Sequence, residues 1–90
     1  SVKGKGKIKV TCLECKTPKY PSKALRRGAE GSPLIKVWIN TNGNVVKTII
    51  IKSSKIDSID KAAMKAALES SFYPIQSDST LNIEYNLKIK

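Results

Sequence analysis

The stretch PLIKVWINTNGNVVKTIIIKS, residues 33–53, decides the fold. Its opening, residues 33–40, is rich in β-branched and aromatic side chains that sort by parity. Ile35, Val37 and Ile39 share one face, and Leu34, Lys36, Trp38 and Asn40 share the other. A period of two is the mark of a strand. Asn42-Gly43 follows, the strongest short-range signal for a hairpin, so residues 45–53 read as the returning strand. Apolar residues at 49, 50 and 51 break the alternation there, which implies a bulge or a second covered face.

Downstream the period changes. Within SKIDSIDKAAMKAALESSF, residues 54–72, Ile59, Ala62, Ala63, Ala66 and Ala67 recur at helical spacing. Asp57 or Ser58 is placed to cap this helix, and Asp60 lies in its first turn, where the dipole favours an acid. Pro74 ends it by residue 73. The alanines bring the helix close to a sheet, and Met64 and Leu68, one step round, read as packing residues. After the polar loop IQSDS the chain closes on TLNIEYNLKIK, residues 80–90. Leu81, Ile83, Tyr85, Leu87 and Ile89 alternate with Asn82, Glu84, Asn86, Lys88 and Lys90, as in a long half-buried strand with a polar outer face.

Upstream, YPSKALRRGAEG, residues 20–31, offers Pro21 to open a helix and Gly28 and Gly31 to close one. It has room for about two turns, too few to stand alone in water. The predicted class is therefore α+β: a three-stranded antiparallel sheet covered on one face by a short N-terminal helix and one longer helix. Before it, lysines 3, 5, 7 and 9 alternate with Gly4, Gly6, Ile8 and Val10. This reads as a flexible linker passing into an extra edge strand at Lys7–Thr11, weakened by its glycines; a disordered basic tail fits the same pattern. The expected organisation is a basic extension over 1–19, carrying Cys-x-x-Cys, and a domain over 20–90.

Composition excludes more than it assigns. The 90 residues permit one modest core and carry a net charge of +10. Nine basic residues against Glu14 alone give residues 1–27 a net +8, leaving +2 for residues 28–90. Histidine is absent, which removes the commonest general base and metal ligand. No paired acids, phosphate loop or other catalytic constellation stands out, so neither an enzyme nor a cofactor is expected. Cys12 and Cys15 provide two thiols where zinc wants about four N/S ligands, and Pro18 and Pro21 follow where a redox motif would open a helix. A local disulfide or two spare thiols remain, and no metal site is expected. No stretch reaches the roughly 18 apolar residues of a membrane span, so any anchor is expected outside these residues.

In their order and spacing these pieces resemble the C-terminal domain of TonB and its relatives. The matching features are Tyr20-Pro21, Ala24, the Gly28-x-Glu30-Gly31 close, the alternating strand, the Asn-Gly turn, Ile59-Asp60-x-Ala62-Ala63, and an aromatic residue shortly before Pro74. The resemblance implies a periplasmic domain tethered through a linker to an inner-membrane helix. It would pass energy from proton-channel partners in that membrane to outer-membrane receptors for siderophores and similar cargo. A receptor's TonB box would add as a strand beside Thr80–Lys90, making Leu81, Asn82, Ile83, Glu84, Tyr85, Asn86, Leu87 and Lys88 partner-binding residues. Ser32 and Asn44 join them as positions near receptor contacts in the family. Here the sequence departs from its relatives, some of which have glutamine at the first and many of which have arginine at the second. For Asn44 a plain turn residue is the competing reading. Arg26 and Arg27 face either an acidic receptor segment or solvent.

Two other functions fit parts of the pattern. A TonB-like envelope protein coupling to a partner other than a receptor would carry the same domain. A basic nucleic-acid-binding module would use the +10 charge, but half of it, +5, sits in the extension over 1–19, a leader without interleaved aromatics for base stacking, so no nucleic-acid partner is expected.

Overall fold

A computed structural model describes residues 10–89. The hairpin forms as the alternation requires: β2, Leu34–Ile39, pairs antiparallel with β3, Val45–Lys52. Asn40 accepts the Gly43 N–H and donates its own N–H to the Asn44 carbonyl, closing a three-residue loop. Within this loop only Gly43 adopts positive φ, at 87°, as the third loop residue of such a hairpin does. The Asn40 side chain holds the loop by accepting the N–H groups of Asn42 and Asn44, each at 3.0 Å. The run of isoleucines resolves into a bulge: Ile35 pairs with Ile50 and Leu34 with Lys52, leaving Ile51 over. A second bulge leaves Val46 over, between the partners of Trp38 and Ile39.

The last strand, β5, Ser79–Glu84, pairs antiparallel with the other side of β2, giving the order β3-β2-β5. Helix α1, Ser22–Arg26, and helix α2, Asp57–Glu69, cover one face. Ile35, Val37 and Ile39 lie buried beneath them with Ala24, Ile59, Ala63, Ala66 and Ala67. Burying each large aliphatic side chain there contributes about 1.5–3 kcal/mol. Met64 packs against this core, whereas Leu68, expected to pack, is 52% exposed on the outer flank of α2. The helix-free face is covered by its own side chains. Trp38 lies between the ammonium groups of Lys36 and Lys47, 5.1 and 4.9 Å from its ring centre, and such cation–π contacts suit an indole half in water.

Neither Asp57 nor Ser58 caps α2. The cap position is Ile56, with no side-chain cap bond, and a first-turn side chain instead binds the residues that precede the helix. Buried Asp60 accepts the Ser54 N–H at 2.9 Å and the hydroxyls of Ser53 and Ser54 at 2.5 Å each. Burial acts to raise the Asp60 carboxyl, but these hydrogen bonds outweigh it and hold the carboxyl below its ordinary value.

The extra N-terminal strand lies later than expected. Of Lys7–Thr11, residues 7–9 fall outside the described residues, and Val10 and Thr11 are not in a strand. Strand β1 is Cys12–Glu14, and it pairs with β4, Ser71–Phe72, in a separate two-stranded ribbon. Cys12 and Cys15 are joined by a disulfide, and the Lys16 N–H donates to Ser70 Oγ at 2.9 Å. The leader is thereby tied to the end of α2.

Candidate functional site

The geometry of β5 follows from one register. Leu34 faces Glu84, Val37 faces Leu81 and Ile39 faces Ser79, with no shift between them. Beyond the strand, Gly31 and Leu87 exchange backbone hydrogen bonds of 3.1 and 2.9 Å in that same register. Between them the Tyr85 N–H donates to the Pro33 carbonyl at 3.0 Å, but Pro33 has no N–H to return. The ladder expected over Thr80–Lys90 therefore ends at Glu84 as a continuous strand and resumes only as the Leu87 bridge. Ile89, the last member of the expected apolar face, is 39% exposed.

In an antiparallel pair, residues alternate between exchanging both backbone bonds with the partner and turning both groups away from it. The Gly31–Leu87 and Pro33–Tyr85 bonds fix the phase, so odd-numbered residues of β5 bond β2. The N–H and C=O of Thr80, Asn82, Glu84, Asn86 and Lys88 point to the opposite side. Because β5 ends the sheet, no strand meets them there among the described residues. The same alternation divides the side chains. Tyr85 and Leu87 are buried, Leu81 and Ile83 half-buried, and Asn82, Glu84, Asn86 and Lys88 exposed. Of the eight residues assigned to partner binding along this strand, four thus present backbone groups outward, and four hold the strand to the core.

Three residues quoted earlier only as sequence signature anchor the far end of this edge. The Tyr20 hydroxyl donates to the Ala29 carbonyl at 2.5 Å, with the Leu87 carbonyl 3.5 Å away. Burial, and then the charge of Glu30, raise the Tyr20 hydroxyl above the ordinary tyrosine value, so it remains a donor. The Glu30 carboxylate accepts the Ile89 N–H at 2.9 Å. Gly31 completes the bridge to Leu87, and a Cβ there would come 2.5 Å from that of Ser54. The short helix α1 is the spacer that sets Tyr20 and Glu30 beside the closing residues. Gly28, at φ 68°, turns the chain out of it. The signal for this role was the Tyr-Pro and Glu-Gly pairs, whose partner 59 residues away no local pattern reveals.

Ser32 and Asn44 mark opposite ends of the sheet. Ser32 lies on the Gly31–Pro33 segment, opposite Asn86 in the shared register. Asn44 is exposed at the base of the hairpin loop and bridges Ser71 of β4, so it is not brought to β5. Arg26, at the end of α1, and Arg27, just beyond it, are exposed. Among the described residues the ion pair is Lys16 with Glu14, at 3.0 Å.

Comparison with known proteins supports this architecture. Residues 16–90 match the family model described as Gram-negative bacterial TonB protein C-terminal. A protein TonB of Vibrio cholerae is 33% identical over 57 residues, which are 63% of this chain and 23% of that protein. Protein tonB2 of Pseudomonas aeruginosa is 40% identical over 57 residues, 63% of this chain and 21% of its own. A protein TonB of Helicobacter pylori is 31% identical over 74 residues, covering 78% of this chain and 26% of that one. The chain thus spans about a quarter of the length of these relatives. The solution structure of the Pseudomonas aeruginosa TonB C-terminal domain superposes with a TM-score of 0.79 at 21% identity, over 90% of this chain and 87% of that one. It shares the fold.

Proposed function

Because the chain belongs to the family of Gram-negative TonB C-terminal domains, we propose that it is the receptor-docking end of an energy-transducing protein. In this reading it is an interaction domain, not an enzyme, and it works in the periplasm. A linker and an inner-membrane helix outside these residues connect it to proton-channel partners. Its ligand is the extended TonB box of an outer-membrane receptor, and the cargo class is siderophores or similar nutrients. The observation that carries the reading is the margin of β5, bulge-free over Ser79–Glu84, which no further strand meets among the described residues. Edges of this kind recruit extended peptides, main-chain bonds giving affinity and alternate side chains giving selectivity.

The energetics suit a reversible coupling. About five main-chain bonds, each worth roughly 0.5–1.5 kcal/mol net, are set against about 1–2 kcal/mol per residue to order the peptide. The terms nearly cancel, so side-chain contacts decide the sign and binding is weak, of order micromolar. Titrating the labelled domain with a receptor's N-terminal peptide tests the assignment by NMR. Amides within residues 80–88 are expected to move. If they stay in place while others shift, the docking edge is elsewhere.

A further inference from the structure

The sheet has a second margin, on β3. Odd residues of β2 bond β5, so Lys36 and Trp38 bond their β3 partners Ile49 and Lys47. Thr48 and Ile50 then turn their N–H and C=O outward, where no hydrogen bond engages them among the described residues. The bulges at Val46 and Ile51 frame this window. On the helix side a groove of about 520 Å³ runs between strand and helix, with Ile50, Met64 and Leu68 among its walls. Val46, Ile49, Ile50 and Ile51 are 60, 40, 37 and 47% exposed. On the helix-free side stand Lys36, Lys47 and Lys52, with no acid on β2 or β3 and none of the three ion-paired among the described residues.

We propose that this window is a second peptide-docking edge, one that takes a short extended segment of alternating acidic and apolar residues. Beside β3, such a segment sends successive side chains to opposite faces. Its apolar members enter the groove over Ile50 and Leu68, and its acidic members meet Lys47 and Lys52. A second copy of this chain is the wrong occupant. Pairing β3 with β3 about a two-fold axis gathers Lys47 and Lys52 of both copies on one face without an acid, and like charges across strands are destabilising. The bulges confine pairing to about four residues, so the segment is short. This site shares neither edge nor chemistry with β5 and does not depend on the function proposed above.

The test is an NMR titration of the labelled chain with the blocked hexapeptide Glu-Val-Glu-Val-Glu-Val and with its lysine counterpart. The acidic peptide is expected to shift amides in residues 46–52 and 61–69. Leu68→Glu, at an exposed position, is expected to weaken that binding about tenfold. The double variant Lys47→Glu, Lys52→Glu is expected to exchange preference for the lysine peptide. Four results would each overturn the proposal: no shifts, shifts confined to residues 79–88, an equal response to both peptides, or a concentration-dependent dimer that Leu68→Glu abolishes. The β5 assignment is read on residues 80–88 with a receptor peptide, so failure of one leaves the other standing.

Discussion

At Asp60 a carboxylate in the first turn of α2 binds the residues that precede the helix, and its hydrogen bonds to Ser53 and Ser54 favour the ionised form. A carboxyl held below its ordinary value contributes stability that is present in full above the unfolded value, about 3.9. That stability is lost as the pH falls through the lower, folded value. Asp60→Asn is therefore expected to cost about 1–3 kcal/mol near neutrality. The gap to the parent protein should close as urea titrations are repeated below about pH 4. Gly43 carries a different constraint. Its φ of 87° strains any other residue, and a Cβ there would collide with the Phe72 carbonyl. Gly43→Ala is expected to lower stability by about 1–3 kcal/mol or more, read from the denaturation midpoint.

Among the elements, β5 separates two effects that substitutions usually mix. The Asn82 N–H points away from β2 and the Ile83 N–H toward it, by the register that links Ile35 to Ile83. Asn82→Pro removes an outward donor, which an edge strand tolerates, and is expected to leave thermal unfolding nearly unchanged while weakening receptor-peptide binding about tenfold. Ile83→Pro breaks the ladder and is expected to unfold the strand. Calorimetry and peptide titration of the two variants check both. The alternation of residues 80–89 made this strand legible, as the helical spacing of Ile59, Ala63 and Ala66 did for α2. Its end was not legible, because the interruption arises in Pro33, which meets it only through pairing. Strand β4 has two residues, too few to show any period. The N-cap expected at Asp57 or Ser58 was misplaced because α2 already begins at Asp57, after a turn with Lys55 at φ 72°, a geometry that composition does not announce.

For the molecule as a whole, the leader matters as an attachment more than as a source of stability. The disulfide joins residues only 3 apart, so on the chain-entropy model it contributes at most about 2 kcal/mol. Reduction is expected to speed hydrogen exchange in residues 11–16 and 70–73, and to leave the protection of β2 and β5 unchanged. Exchange mass spectrometry with and without a reductant reads this directly. That residues 12–14 join the body through β4 was hidden from local patterning, because their partners lie near residue 72. The strand order was equally a tertiary fact. Alternation marks a half-buried strand, but only its neighbours determine whether it lies inside a sheet or at its border.

Trp38 is the single tryptophan of the chain. It sits on the middle strand, facing Lys47 on one side and Thr80 on the other, with two ammonium groups against its ring. The protein thus carries its own fluorophore midway between the two borders of the sheet. An arrival at either border that disturbs the lysines or the water around the indole changes the colour and yield of its emission, without any label.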